Sequence, residues 1–185
     1  MSLIADEIIS MYIKHGSEDY IGEDISQISH MIQCGMNAEQ ETGDPEHILA
    51  GFLHDIGHFL DNESMNGYGI VDHEFIGAKY LLEKGFSDKI CKMVENHVSA
   101  KRFLCSTNPD YYDTLSNASK ETFKLQGGYL TEEEIEKYME DPLYKEYCML
   151  RKWDDAAKKK DIELKSLDFY KNLIIEHLDN NLNIN

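Results

Sequence analysis

The chain has 185 residues, with 18 Lys and Arg against 35 Asp and Glu and a formal net charge of −17. Its length suits one domain, residues 1–185, with a full core, and its 42% hydrophobic content is too high for disorder. The charge argues against nucleic acid and anionic membranes as partners, so an anionic ligand would need local positive charge to hold it.

Helical periodicity runs nearly throughout. Ile4, Ile8, Met11 and Tyr12 stripe a helix from Leu3 to Lys14, and Ile25, Ile28, Ile32 and Met36 stripe a second from Ile25 to Glu41. Gly43-Asp44-Pro45 breaks the chain, and Pro45 suits the first turn of a helix that delivers His54. Gly57 and the polar Asp61-Asn62-Glu63-Ser64 end that helix and open a loop, with Gly67 and Gly69, that runs to Val71. Asp72 is expected to cap a helix to Lys84 closed by Gly85, and Ser87 to cap one through Val98. After Asn108-Pro109-Asp110, a helix from about Ser116 to Gln126 stops at Gly127-Gly128. Thr131 and Glu134 read as a capping box. Pro142 starts a long helix through Trp153 to about Lys159, and a last helix spans about residues 166–182 before a tail expected to fray. No strand pattern competes and no linker divides the chain, so the expected fold class is all-α.

Cys34, Cys91, Cys105 and Cys148 are widely spaced with no CxxC pair, as expected of free, buried thiols in a reducing cytoplasm. Cys34 falls one helical turn after His30. The N-terminus does not read as a signal peptide and no apolar run is long enough for a bilayer, so a cytoplasmic location is expected.

His54-Asp55 stands inside the run Gly51-Phe52-Leu53-His54-Asp55-Ile56-Gly57-His58. A carboxylate buried there needs a cation, and the imidazole beside it is a natural second ligand. On a continuous helix the two side chains diverge by about 100°, so one metal can take both, or Asp55 can offer its second oxygen to another ion. His30 alone would read as a core histidine; beside this pair it reads as a ligand. His30, His54, Asp55 and Asp154 suffice for one metal. His73, opening one helix, and His97, closing another, would be surplus to that site. A second ion held by them and bridged by Asp55 uses all six residues. Imidazole and carboxylate suit Fe, Mn, Zn or Ni, and the absence of thiolate argues against a structural zinc. His15, His47 and His177 read as surface histidines.

The order His30…His54-Asp55…Asp154 resembles the HD-domain superfamily, whose members share a compact helical bundle and are mostly metal-dependent phosphohydrolases. The additional His73 and His97 resemble its dinuclear branch. Within that branch the chain is similar to the PhnZ-type mixed-valent diiron oxygenases, which cleave the carbon–phosphorus bond of hydroxylated organophosphonates. Tyr20 and Glu23 ahead of His30, His58 after the pair, Lys101, the set Ser119, Thr122 and Gln126, and Arg151 carry this narrower match. It covers roughly residues 19–158.

The resemblance implies two iron ions, Fe(II)/Fe(III), as cofactors, with an organophosphonate and O2 as the partners. It implies that Tyr20 occupies one iron until substrate arrives and that Glu23 meets the substrate's amine. His58, Lys101, Ser119, Thr122, Gln126 and Arg151 would bind the phosphonate, with Tyr20, His58 and Lys101 closest to the chemistry. The implied reaction is oxidative cleavage of a 1-hydroxyalkylphosphonate. With a primary amine at Glu23, the substrate would be (R)-2-amino-1-hydroxyethylphosphonate and the products glycine and phosphate. A trimethylated ammonium would usually call for an aromatic cage.

Spacing is consistent with these roles without proving them. His97 and Lys101 are i and i+4, so Lys101 points to the ligand's side if the helix continues. Ser119, Thr122 and Gln126 share one face at i, i+3 and i+7, though a polar solvent face looks the same. Arg151 shares a face with Asp154 and can grip a phosphonate in bidentate fashion, or form a surface pair with Glu146 or Asp155. Tyr20 and Glu23 alone would be an ordinary turn. The alternative function is an HD phosphohydrolase, in which a metal-bound water attacks a phosphate ester or nucleotide. Tyr20 and Glu23 weigh against it, since hydrolysis needs no displaceable tyrosine. The sequence leaves the oligomeric state open.

Overall fold

Helix-capping residues divide the chain much as their chemistry dictates. In a computed structural model that describes residues 1–20, 23–60 and 72–182, ten α-helices and one 3-10 turn account for most of the described residues. They are α1 (Ser2–His15), α2 (Gln27–Glu41), α3 (Pro45–Leu53), the 3-10 turn (Ile56–Phe59), α4 (His73–Glu83) and α5 (Asp88–Thr107). There follow α6 (Tyr111–Thr114), α7 (Asn117–Leu125), α8 (Glu132–Glu140), α9 (Tyr144–Ala156) and α10 (Leu167–Leu182). Among the described residues there is no strand, only an isolated antiparallel bridge between Asp19 and Ser26. The side chains of Ser26, Asp44, Ser87 and Ser116 accept N-cap hydrogen bonds, and Thr131 and Glu134 form the expected capping box. The expected loop to Val71 and the last residues of the tail lie outside the described residues.

The centre of the bundle is α2, α3, α5 and α9, with α4 laid on α5 and with α1 and α10 covering α3. Tyr12 of α1 and Tyr170 of α10 both stack on Phe52, at ring distances of 4.3 and 4.0 Å. Their buried hydroxyls donate to the carbonyls of Phe52 (2.5 Å) and Ile32 (2.9 Å). Two outer helices are thereby tied to the two that carry His30 and His54. A Cβ on Gly51 would sit 2.9 Å from the Cys34 carbonyl, so α2 and α3 approach backbone to backbone at this glycine.

Several boundaries differ from the sequence expectation. α3 stops at Leu53, not at Gly57. His54 is its C-cap, and Asp55 sits at φ −101°, ψ 12° before the 3-10 turn. This bridge-region conformation breaks the helical path, so the two side chains are not set by helix geometry alone. α5 does not close at His97 but runs on to Thr107, because Val94, Val98, Phe103 and Cys105 continue its buried stripe and no breaker intervenes before Asn108. Asp72 does precede α4, but in the left-handed region (φ 56°, ψ 27°) and with no side-chain cap bond. α9 starts at Tyr144 and ends at Ala156, three residues short of Lys159. His47 and His177 are buried, contrary to their reading as surface residues. His177 accepts the Ser87 N–H at 3.1 Å, joining α10 to the start of α5.

Gly57 lies against the first residue of α4. A Cβ there would collide with the carbonyl of His73. Gly57→Ala should therefore push α4 away and cost about 1–3 kcal/mol, as overpacking does. For a domain of this size the expected fall in Tm is about 3–10 °C. Thermal unfolding checks this; an unchanged Tm would mean that α4 shifts without penalty.

Candidate metal centre and anion pocket

Four imidazoles and two carboxylates converge in the middle of the bundle. His30 comes from α2, His54 and Asp55 from the end of α3, His73 from the start of α4, His97 from the middle of α5 and Asp154 from α9. All six are buried. The Nδ1 atoms of His30, His54 and His97 each face a backbone carbonyl, of Ala157 (3.0 Å), Gly51 (2.8 Å) and Val94 (2.7 Å). A carbonyl only accepts, so each Nδ1 carries the proton and each Nε2 presents a lone pair inward.

Those inward atoms fall into two sets. His30 Nε2 lies 3.2 Å from His54 Nε2 and 3.3 Å from Asp154 Oδ1. His73 Nε2 lies 3.1 Å from His97 Nε2. Asp55 stands between the sets and divides its oxygens. Oδ2 is 3.6 and 3.3 Å from His30 and His54, and Oδ1 is 3.4 and 3.5 Å from His73 and His97. Acceptors this close repel unless a cation lies between them. Ligands at about 2.1 Å from a metal in tetrahedral or octahedral geometry are about 3.0–3.4 Å apart, close to the 3.1–3.6 Å seen here. Among the described residues Asp154 Oδ1 has no hydrogen-bond donor although it is buried, as suits a ligand atom. Burial opposes charge on His54 while Asp55 raises its pKa above the ordinary imidazole value, and at His97 burial and the His73 imidazole hold the pKa well below it. The residues therefore fit a pair of metal ions, with His30, His54, Asp55 and Asp154 about one position and Asp55, His73 and His97 about the other. His58, whose Nε2 is 3.9 Å from Asp55 Oδ1, also has a nitrogen within reach of the second set.

One cavity opens beside these residues, and every residue expected to contact substrate borders it: Glu23, His58, Lys101, Ser119, Thr122, Gln126 and Arg151, with Tyr20. Burial and the His73 imidazole push the His58 pKa down to about 3, so it is a neutral donor or acceptor. Its ring stacks on His73 at 4.1 Å. Lys101, one turn beyond His97 on the continued α5, is buried and donates to Thr122 Oγ1 at 2.9 Å. Burial and the nearby Arg151 hold its pKa down at about 7, leaving an ammonium that an incoming dianion would stabilise. Arg151 is buried too, pairing with Asp154 at 2.5 Å and with Asp155, which also accepts from the Tyr111 hydroxyl. The reading of Arg151 as a surface pair is thus excluded, although Asp155 is one of its partners. Its Nε and the Oε1 of Gln126 are buried and have no hydrogen-bond partner among the described residues.

Tyr20 stacks on His30 at 3.9 Å. Burial and then the Asp154 and Asp55 carboxylates raise its phenol pKa well above the usual value. Its N–H donates to the Ile25 carbonyl, and its own carbonyl accepts the Glu23 N–H, both at 2.9 Å. The four cysteines are free and buried as expected, with Cys34 set against His54. Among the charged residues that line the cavity, Lys158 was not foreseen. Lys158 opens the run Lys158-Lys159-Lys160 and lines the pocket. Its place four residues after Asp154 was the available signal.

The HD-domain family pattern matches residues 26–178 of the chain. The chain is 41% identical over 180 residues to protein L432 of Acanthamoeba polyphaga mimivirus, covering 95% of this chain and 82% of that one. It is 39% identical over 164 residues to a [1-hydroxy-2-(trimethylamino)ethyl]phosphonate dioxygenase (glycine-betaine-forming) of Leisingera caerulea, covering 86% and 83%. It is 38% identical over 160 residues to a hydroxymethylphosphonate dioxygenase of Gimesia maris, covering 84% and 79%. Among the described residues no helix is long and apolar enough to cross a membrane. With the convergent His and Asp cluster and this likeness over most of its length, the chain belongs to the HD-domain family, in the oxygenase branch that its phosphonate dioxygenase relatives represent.

Proposed function

We propose that this protein uses O2 to cleave the carbon–phosphorus bond of a 1-hydroxyalkylphosphonate, with two iron ions, Fe(II)/Fe(III), held at the six converging residues. The observation that carries this reading is the division of Asp55: one oxygen faces His30 and His54, the other His73 and His97, next to an anion pocket. The iron pair would supply the oxygen chemistry. The overall change balances without an outside reductant: the hydroxyphosphonate and O2 give a carboxylate, inorganic phosphate and a proton.

The protein's own groups do the rest. Lys101 and Arg151 neutralise the phosphonate, and Ser119, Thr122 and Gln126 fix its orientation. His58 is neutral and lies against His73, where it can hold the substrate hydroxyl or a phosphonate oxygen. Tyr20 covers His30 and must yield some of that space when substrate arrives. With an amine at Glu23 the substrate would be (R)-2-amino-1-hydroxyethylphosphonate and the product glycine. The surroundings of Glu23 revise that end of the substrate, as argued below.

The deciding experiment loads the protein with ferrous iron and follows phosphate release from 1-hydroxyalkylphosphonates with and without oxygen. Release that depends on oxygen is expected. Equal release under strict anoxia would replace the oxygenase reading with hydrolysis.

A further inference from the structure

We propose that Lys158 is a specificity-determining residue that closes the site to substrates carrying a positive charge, so that this protein acts on hydroxyphosphonates whose substituent is uncharged. The inference rests on the proposed function above.

The observation is the state of Glu23. Its Oε1 accepts from Lys158 Nζ at 2.9 Å, and the side chains of both residues are largely buried, at 15% and 16% exposure. Lys158 Nζ also donates to Ser116 Oγ and Ser119 Oγ, each at 3.2 Å. An ammonium has three N–H donors, and these three contacts use them all. Lys158 is not a loose surface side chain that happens to lean inward. The backbone on either side of it is pinned to α2: His30 Nδ1 donates to the Ala157 carbonyl at 3.0 Å. The Gln33 amide exchanges two hydrogen bonds with Lys159, both at 2.9 Å.

The chain therefore places its own ammonium where an amine-bearing substrate would place one. A substrate ammonium at Glu23 must either displace Lys158 from all three partners or share the carboxylate with it. Sharing would set two like charges within about 5 Å in a half-buried site, where repulsion is poorly screened. Displacement would leave the Lys158 ammonium without these three partners, in a cavity that Arg151 and Lys101 also line. A neutral substituent does neither. The ion pair then remains as part of the pocket wall, and Ser119 keeps its place between Lys158 and the phosphonate.

The test uses the iron-loaded protein with hydroxymethylphosphonate and 2-amino-1-hydroxyethylphosphonate as substrates. Binding of methylphosphonate and 2-aminoethylphosphonate, which lack the reacting hydroxyl, is measured by calorimetry. For the unmodified protein, kcat/KM and affinity should both favour the uncharged member by tenfold or more. Lys158→Met should shift that ratio at least tenfold toward the amine. Glu23→Gln, which leaves Lys158 charged, should shift it the other way, and it serves as the second variant if Lys158→Met folds poorly. A preference for the amine in the unmodified protein would overturn the proposal. So would an equal loss on both ligands in Lys158→Met, which would make Lys158 a phosphonate ligand. If neither substrate releases phosphate but the binding preference holds, the proposed reaction fails and the role of Lys158 stands.

Discussion

Asp55→Ala should cost the protein both of its metal ions together. Each oxygen of this carboxylate faces a different imidazole pair, so its loss removes a ligand from two positions and the anion that holds two cations close. Metal analysis should show about two ions per chain before the change and fewer than one after it. Turnover should fall by ~10^3-fold or more, equivalent to about 4 kcal/mol of barrier. Asp55→Asn keeps the shape and one good acceptor oxygen, so it should retain more metal than Asp55→Ala. A protein that kept two ions after Asp55→Ala would show that the bridge is not what joins the two positions.

Arg151→Ala should be the most destabilising change outside the apolar core. The guanidinium is 4% exposed and lies between Asp154 and Asp155. Burial works against its charge, but those two carboxylates hold its pKa well above the ordinary arginine value. Removing it leaves two carboxylates without their counter-charge, a type of loss that costs about 3–5 kcal/mol. That corresponds to a Tm lower by roughly 6–20 °C. Phosphonate binding should weaken in the same variant, because Arg151 also borders the pocket. Denaturation with and without added metal separates the two effects. A cation at Asp154 would recover part of the stability but none of the phosphonate affinity. A Tm within a degree of the parent would mean that the two carboxylates find other partners.

Much of this arrangement was legible in the chain because it rests on short-range rules. Ser26, Asp44, Ser87, Ser116 and the Thr131–Glu134 pair are caps whose chemistry is local, and each marks a helix start. His54-Asp55 in an apolar run requires a cation whatever surrounds it. What was not legible depends on tertiary packing. The helix expected to close at Val98 runs on to Thr107, and that continuation is what buries Lys101 at the pocket. His47 and His177 read as surface residues, since a neutral imidazole with a hydrogen bond costs little to bury and leaves no pattern. Lys158 was hidden in a run of three lysines, and it is tertiary contacts, of its neighbours with Gln33 and His30 and of its own ammonium with Glu23, that turn it inward.

The extension of α5 past His97 has one more consequence. His97 and Lys101 stand on a single uninterrupted rod, four residues apart, which is about 6 Å along the axis. The spacing between a metal position and an anion-binding group is thus a gauge cut in backbone, with no loop to adjust it. A bound molecule therefore meets the His97 side of the metal cluster and the Lys101 ammonium at one fixed spacing. Whatever variety of molecules this architecture can accept has to be expressed at the other end, around Glu23 and Lys158.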